Sequence, residues 1–281
     1  MSTMTDSHLD TPESASTAEE RAAAWLVAEA QRLGVELDEA TRQQLVDYSG
    51  RIEAGAARAG LTSVRDPLGI ARRHLGESLS LLAALREAGL LTPRVPASVV
   101  DIGSGAGLPG LAIRLAEPAL RLTLVEASAR RCAFLRETAD ALGLGNVRVV
   151  QARAEEAGHD PELRQHFDLA VARAVAPLPV LVEYALPLLA PGGVLAAQKG
   201  SRAAAELEAA RPAIAELGGE AIAPLMLRLP SDSPPQQVLL VRRVGELPTH
   251  LPRRPGVPER RPLGAPRRSS AGGAAGSGEA R

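Results

Sequence analysis

The run from Ser98 to Ile113, SVVDIGSGAGLPGLAI, sets Gly103, Gly105 and Gly107 between a short β-branched stretch and an apolar helical one. Glycine adopts positive φ without a Cβ clash and lets a ligand approach the backbone, and the amides opening the next helix turn partial positive charge toward it. The pattern predicts a strand, a ligand-binding turn and a helix. Gly105, Gly107 and Gly110 also satisfy the GxGxxG dinucleotide fingerprint, a weak signal alone, which keeps an NAD(P)-dependent oxidoreductase open. Asp101, ending the strand beside the turn, opposes a pyrophosphate and suits a cationic ammonium. S-adenosylmethionine carries such a group and no phosphate. Glu126, about 20 residues past the turn, is placed to accept from both ribose hydroxyls, which either cofactor needs. Ala154 and Glu155 follow the third strand, where an adenine lying across the strand ends falls. Glu155 reads equally as the acidic start of a solvated helix.

Arg173 follows the fourth predicted strand and Lys199 the fifth, so both face the crevice at the carboxyl ends of an open α/β sheet and are assigned to the substrate side. Lys199 is the single lysine among 32 basic residues, a retained compact ammonium in an arginine background. His74 falls on a helix ahead of the sheet, where packing or capping competes with an RNA contact. The histidines have no metal-ligand spacing, and Cys132 sits on a helical face as a small buried hydrophobe, so no metal is expected. Arg253, Arg254, Arg260 and Arg261 alternate with prolines that favour an extended chain suited to a phosphate backbone.

The elements that must position these residues follow from hydrophobic period. The 281 residues suit one catalytic domain with appendages. Aromatics are 2%, so the core must be aliphatic, and a net charge of -1 confines any nucleic-acid surface to local basic clusters. Residues 1–17 read as a disordered tail and 18–92 as a helical extension, with a helix over Pro67 to Glu87. Residues 93–250 alternate β-branched and Ala/Leu-rich runs, the signature of parallel βαβ units. Strands are expected at Ser98–Ile102, Leu122–Val125, Val147–Val150, Phe167–Val171, Val194–Gln198, Ile222–Leu229 and Gln237–Arg243, the last two antiparallel across a loop too short for a crossover helix. Residues 251–268 form the basic Pro/Arg segment, and 269–281 a flexible tail. Prolines and Glu183 interrupt the most apolar stretch, Ala174 to Ala197, which argues against a membrane span. With no signal peptide and one cysteine, a cytoplasmic location is expected.

The segments DIGSGAGLPG, LVEASARRCAFL, ARAEE, VARAVAPL and QKG, with LTSVRDP, RHLGESL and PRRPGVPERRPL in order around them, resemble the bacterial 16S ribosomal RNA guanine-N7 methyltransferases, the glucose-inhibited division protein B family. The likeness covers about Leu45 to Leu263. It implies a class I methyltransferase fold, Rossmann-like and doubly wound with seven mostly parallel strands, with S-adenosylmethionine as donor. It further implies methylation of guanine N7 in the decoding-region loop of 16S rRNA, with the small ribosomal subunit or its RNA as partner; separately, a monomer is expected, the sequence leaving the oligomeric state open. Gly103, Leu108, Ala154, Glu155 and Arg173 are then the cofactor contacts. The sequence departs from the family pattern at EAGAARAG, where Trp-Asn followed by Asn is usual, and at Glu77, where Asp is usual. The alternatives that stay open are the oxidoreductase and a non-catalytic RNA-binding or ribosome-assembly protein.

Overall fold

The computed structural model describes residues 17–230 and 233–264. The two expected tails, apart from Thr17, and the end of the basic segment lie outside the described residues. Seven strands, β1 (Ser98–Ile102), β2 (Arg121–Glu126), β3 (Val147–Gln151), β4 (Phe167–Arg173), β5 (Leu189–Lys199), β6 (Gly219–Met226) and β7 (Gln237–Arg243), form one sheet in the order β3-β2-β1-β4-β5-β7-β6. The first five are parallel, and β7 runs antiparallel between β5 and β6. The chain reverses its direction of winding between β1 and β4, which leaves a crevice at their carboxyl ends.

Alternation along the strands builds a core on each face. Val99, Leu122, Leu124, Leu169, Val171 and Ala196 point to one side, while Val100, Ile102, Val125, Ala170, Ala172 and Ala197 point to the other. The first face is covered by α1 (Ala18–Leu33), α2 (Glu39–Ala59), α4 (Glu77–Glu87), α5 (Gly110–Ala116) and α6 (Ala129–Ala141). The second is covered by α8 (Leu178–Ala185) and α9 (Ala203–Glu216). Local signals set the helix limits: Thr17 and Glu20 form a capping box at α1, which stops at Gly34 in the left-handed region (φ 70°), and Asp38 caps α2.

Besides shifts of up to three residues at other strand ends, largest in β6, the structure departs from the sequence expectation in three places. The helix predicted over Pro67 to Glu87 is continuous but widens into a π-helical stretch, Ala71–Gly76, between α3 (Pro67–Ile70) and α4. Such widening occurs frequently at functional sites, and here it carries Arg73 and His74. Strand β5 starts at Leu189, five residues before its predicted start, because a register shift between Phe167 and Leu169 of β4 accommodates Pro191, Gly192 and Gly193, which read as a turn. The third departure concerns the basic segment, predicted to run extended. It folds back as a strap that turns at Gly256 (φ 77°) into α10 (Val257–Arg260). The reason is apolar: Leu251, Pro252, Pro258 and Leu263 are buried, and Leu251 and Leu263 join the core of the second face.

The strap is also held by charge. Glu183 on α8 has no exposure and accepts from Arg253 at the backbone N and at Nε, both at 2.8 Å, and pairs with its guanidinium. Removing one partner of a buried pair leaves an uncompensated charge. Arg253→Ala is therefore expected to lower the unfolding free energy by about 3 kcal/mol in urea denaturation, whereas Arg254→Ala, on an exposed side chain, changes it by less than about 0.5 kcal/mol.

Candidate active site

The carboxyl ends of β1, β2, β4 and β5 open on a crevice with two lobes. The wider, about 760 Å³, is walled by Thr62, His74, Gly105, Leu108, Arg173 and Lys199, among others. The narrower, about 230 Å³, lies among Glu126, Ala154, Glu155, Tyr184 and Glu259. Gly103, Arg131, Ala174 and Val175 line both, so the lobes adjoin at the glycine turn. Ala174 has φ of 56°, an uncommon conformation for a residue with a side chain, of a kind that clusters at ligand sites.

The turn is held from below and behind. Asp101 has no exposure, and its Oδ2 accepts from Gly110 N–H at 2.8 Å. A Cβ on residue 110 would stand 2.6 Å from that oxygen, so glycine alone permits helix α5 to approach β1 this closely. Tyr48, fully buried on α2, donates from its hydroxyl to Ala106 O at 2.8 Å. The direct ammonium contact expected of Asp101 is not made available by this arrangement, because the side chain lies beneath the turn and outside the crevice lining. Burial pushes its carboxyl up to about 7, against the Gly110 N–H and the Arg173 cation that favour the charged form. Its Oδ1 is buried without a hydrogen-bond partner.

Glu126 ends β2 as predicted and lines the narrow lobe. One oxygen accepts from Gly105 N–H at 3.0 Å and the other from Ser128 N–H at 2.8 Å. Its carboxylate thus shapes the turn as well as facing the lobe. Glu155 is 2% exposed, which overturns its reading as a solvated helix start. It accepts from Gly256 N–H of the strap at 2.7 Å, so residues about a hundred positions later build this wall.

In the wider lobe Arg173 donates through Nη1 to Arg73 O (3.2 Å) and Glu77 Oε2 (3.3 Å), and through Nη2 toward His74 Nδ1 (3.5 Å). Glu77 also accepts from the side-chain amides of Gln198 and Gln236. Burial nevertheless raises its carboxyl above the usual range, outweighing the Arg173 cation and those amides. His74 contacts Thr62 Oγ1 at 2.7 Å through Nε2. Burial first, and the Arg173 cation second, lower its ring to about 4, while the Arg73 backbone works weakly the other way. The ring is therefore neutral at physiological pH. Lys199 Nζ is bound to Glu206 Oε2 (2.7 Å) and Ala176 O (2.6 Å), so it fastens the segment after β4 while lining the lobe.

The predicted residues divide accordingly. Gly103, Gly105, Leu108, Glu126, Ala154, Glu155, His74, Arg173 and Lys199 meet in the crevice, while Gly107 (φ 93°) serves the turn from behind, where a Cβ would crowd Leu111 and Tyr48. Arg253 is withdrawn by Glu183, a correction to its expected RNA contact, whereas Arg254, Arg260 and Arg261 are exposed. Sequence reasoning missed Tyr48, Thr62, Gln198, Gln236 and Glu206. Thr62 lies in the segment LTSVRDP, which draws attention to it but gives no role. Among the described residues no group of three or more His, Cys, Asp or Glu is placed to hold a metal, and no helix is long and apolar enough to cross a membrane.

A doubly wound sheet in this order, with a glycine turn after β1, an acidic residue ending β2 and a polar lobe beyond β4 and β5, defines a class I methyltransferase. The chain belongs to the rRNA small subunit methyltransferase G family, whose model matches residues 41–227. A ribosomal RNA small subunit methyltransferase G from Roseiflexus sp. (strain RS-1) is 40% identical over 238 residues, covering 85% of this chain and 98% of the relative. One of the same description from Deinococcus deserti is 38% identical over 238 residues, covering 85% and 95%. A solved structure similar in part is TrmN from Thermus thermophilus, at 23% identity and a TM-score of 0.44, covering 62% of this chain and 53% of that one.

The His74 ring makes a testable contribution to stability. An unfolded histidine titrates near 6.5, roughly, whereas this one does so at about 4. Between those values the unfolded chain binds more protons, so this contribution is complete above the upper value and is lost as pH falls toward the lower. His74→Gln is expected to flatten that limb of the stability curve in denaturant titrations across the window; an equally steep limb in the variant would contradict the buried, neutral ring.

Proposed function

We propose that this chain transfers a methyl group from S-adenosylmethionine to N7 of a guanine in the decoding-region loop of 16S ribosomal RNA, as a monomer in the cytoplasm. The observation that carries the reading is the two-lobed crevice of a family member: a narrow lobe fitted to a nucleoside, meeting a wider polar lobe at the glycine turn.

The residues present fit the donor. The left-handed turn at Gly103 (φ 66°) leaves no room for a Cβ, which would meet Val175 at 2.9 Å, and so brings bare backbone to the junction of the lobes. Glu126 is placed for ribose hydroxyls, and the backbone at Ala154 and the wall at Glu155 for the adenine. Asp101 acts through Gly110 and the turn rather than by touching the donor. When bound, S-adenosylmethionine supplies an electrophilic methyl on a sulfonium centre.

Guanine N7 offers a lone pair and no proton, so the transfer needs alignment and no general base. A neutral, partnered His74 agrees with that chemistry. Arg173 braces the wall between the helical extension and β4, and Lys199 positions the Ala174–Pro177 segment around the junction of the lobes. Phosphate contacts fall to exposed arginines at the rim. Arg73 and Arg202 line the wide lobe and are exposed, and among the described residues no ion pair to a carboxylate is found for either. Arg254, Arg260 and Arg261 extend the basic surface.

The deciding experiment incubates the full chain with methyl-labelled S-adenosylmethionine and small-subunit RNA or particles from cells lacking the protein. Label recovered as 7-methylguanosine at one position in the decoding-region loop is the expected result. RNA binding without label would favour a binding module, and tight binding of NADH but not S-adenosylhomocysteine an oxidoreductase. Neutralising Arg73 and Arg202 together is expected to reduce the salt slope of RNA binding by about one for each phosphate that the variant leaves unneutralised.

A further inference from the structure

Thr62 is a hydroxyl of the wide lobe whose hydrogen-bond direction its neighbours dictate. It lies just after α2, in the turn leading to α3, and its Oγ1 accepts from Val64 N–H at 3.0 Å. Its second contact is His74 Nε2 at 2.7 Å, where either atom could supply the hydrogen. The far side of the ring decides. His74 Nδ1 faces Arg173 Nη2 at 3.5 Å, and a guanidinium only donates, so Nδ1 presents its lone pair. Arg73 O, the carbonyl that also lies beside the ring, accepts from Arg173 Nη1 as well. With Nδ1 accepting from Arg173 Nη2, the neutral ring carries its one hydrogen on Nε2 and donates it to Thr62.

Both lone pairs of Thr62 Oγ1 are thereby occupied, and its own hydrogen has no acceptor among the described residues. A threonine hydroxyl ordinarily both gives and receives; this one can only give, and it lines the crevice. The base edge that carries N7 also carries the group at C6: guanine shows an acceptor there, O6, and adenine a donor, the N6 amino group. A neutral donor at O6 also suits the reaction, since the ring gains positive charge as N7 is methylated and a cation at that place would oppose it. Three donor contacts of Arg173 are meanwhile spent on the wall, at Arg73, Glu77 and His74.

We propose that the Thr62 hydroxyl donates to O6 of the target guanine and, held as a donor by Val64 N–H and His74 Nε2–H, excludes adenine from the site. His74 is the positioning residue that imposes this direction. The proposal rests on the guanine-N7 reading and adds the group that recognises the base.

The test is a cycle between enzyme and base. Small-subunit RNA is assembled by ligation with guanosine or 2-aminopurine riboside at the target; the latter keeps N7 but lacks O6. Wild-type enzyme is expected to lose about 10- to 100-fold in kcat/KM on 2-aminopurine, the range one good base contact supports. Thr62→Val should lose a similar factor on guanosine and little more on 2-aminopurine, while Thr62→Ser stays within a few-fold of wild type. Binding of S-adenosylhomocysteine by each variant controls for folding. Losses that multiply, or a wild type indifferent to O6, would overturn the proposal. So would nitrogen NMR of ring-labelled protein showing the His74 hydrogen on Nδ1. A wild type that forms no 7-methylguanosine on unmodified RNA would fail at the earlier step, the reading on which this one stands.

Discussion

The hydrogen bond from Gly110 N–H to the buried Asp101 Oδ2 is the constraint on which the site depends. It joins the end of β1 to the first turn of α5 at a separation that excludes a Cβ, and so sets the path of the glycine turn between them. A carboxylate with no exposure, one oxygen satisfied and the other without a partner, is costly to bury. The turn is also tied from other directions, by Tyr48 on Ala106 and by Glu126 on Gly105. Those ties come from α2 and from the neighbouring strand, so the helical extension and the sheet together preorganise one loop.

The same arrangement recurs in the wide lobe. The π-helical stretch turns Arg73 O and the His74 ring toward Arg173, while Glu77 just beyond it gathers Arg173, Gln198 and Gln236. The result is a wall in which most polar groups are already spoken for. Positioned groups of this kind suit a reaction that needs alignment rather than proton transfer.

Much of the sheet was legible because β-branched runs, period-two burial and glycine punctuation agree locally. β1 and β7 have their predicted ends, and the glycine turn, Glu126 and the strand-end residues Arg173 and Lys199 fall in one crevice. What could not be read depends on pairing over distance. The antiparallel character of β6 and β7 follows from their short connection, but which of them lies against β5 does not. The π-helical widening shows only as a five-residue step between the large buried positions Ile70 and Leu75, which an ordinary helix with a polar gap would give as well. Asp101 marks the end of a strand in any reading, yet only the packing of α5 decides whether it faces a ligand or the core. Arg253 and Glu183 are 70 positions apart, and nothing in a basic proline-rich segment announces that one arginine meets a buried acid.

That pairing bears on how the enzyme comes into being. Glu155 and its neighbours are made well before the strap whose Gly256 fixes them, so a chain still being synthesised can assemble its sheet while one side of the narrow lobe stands open. Only when residues 251–263 have emerged and Arg253 has reached Glu183 is that side closed. The wall at Glu155 is thus completed by a segment about a hundred residues further along the chain, so its final geometry depends on the strap having docked.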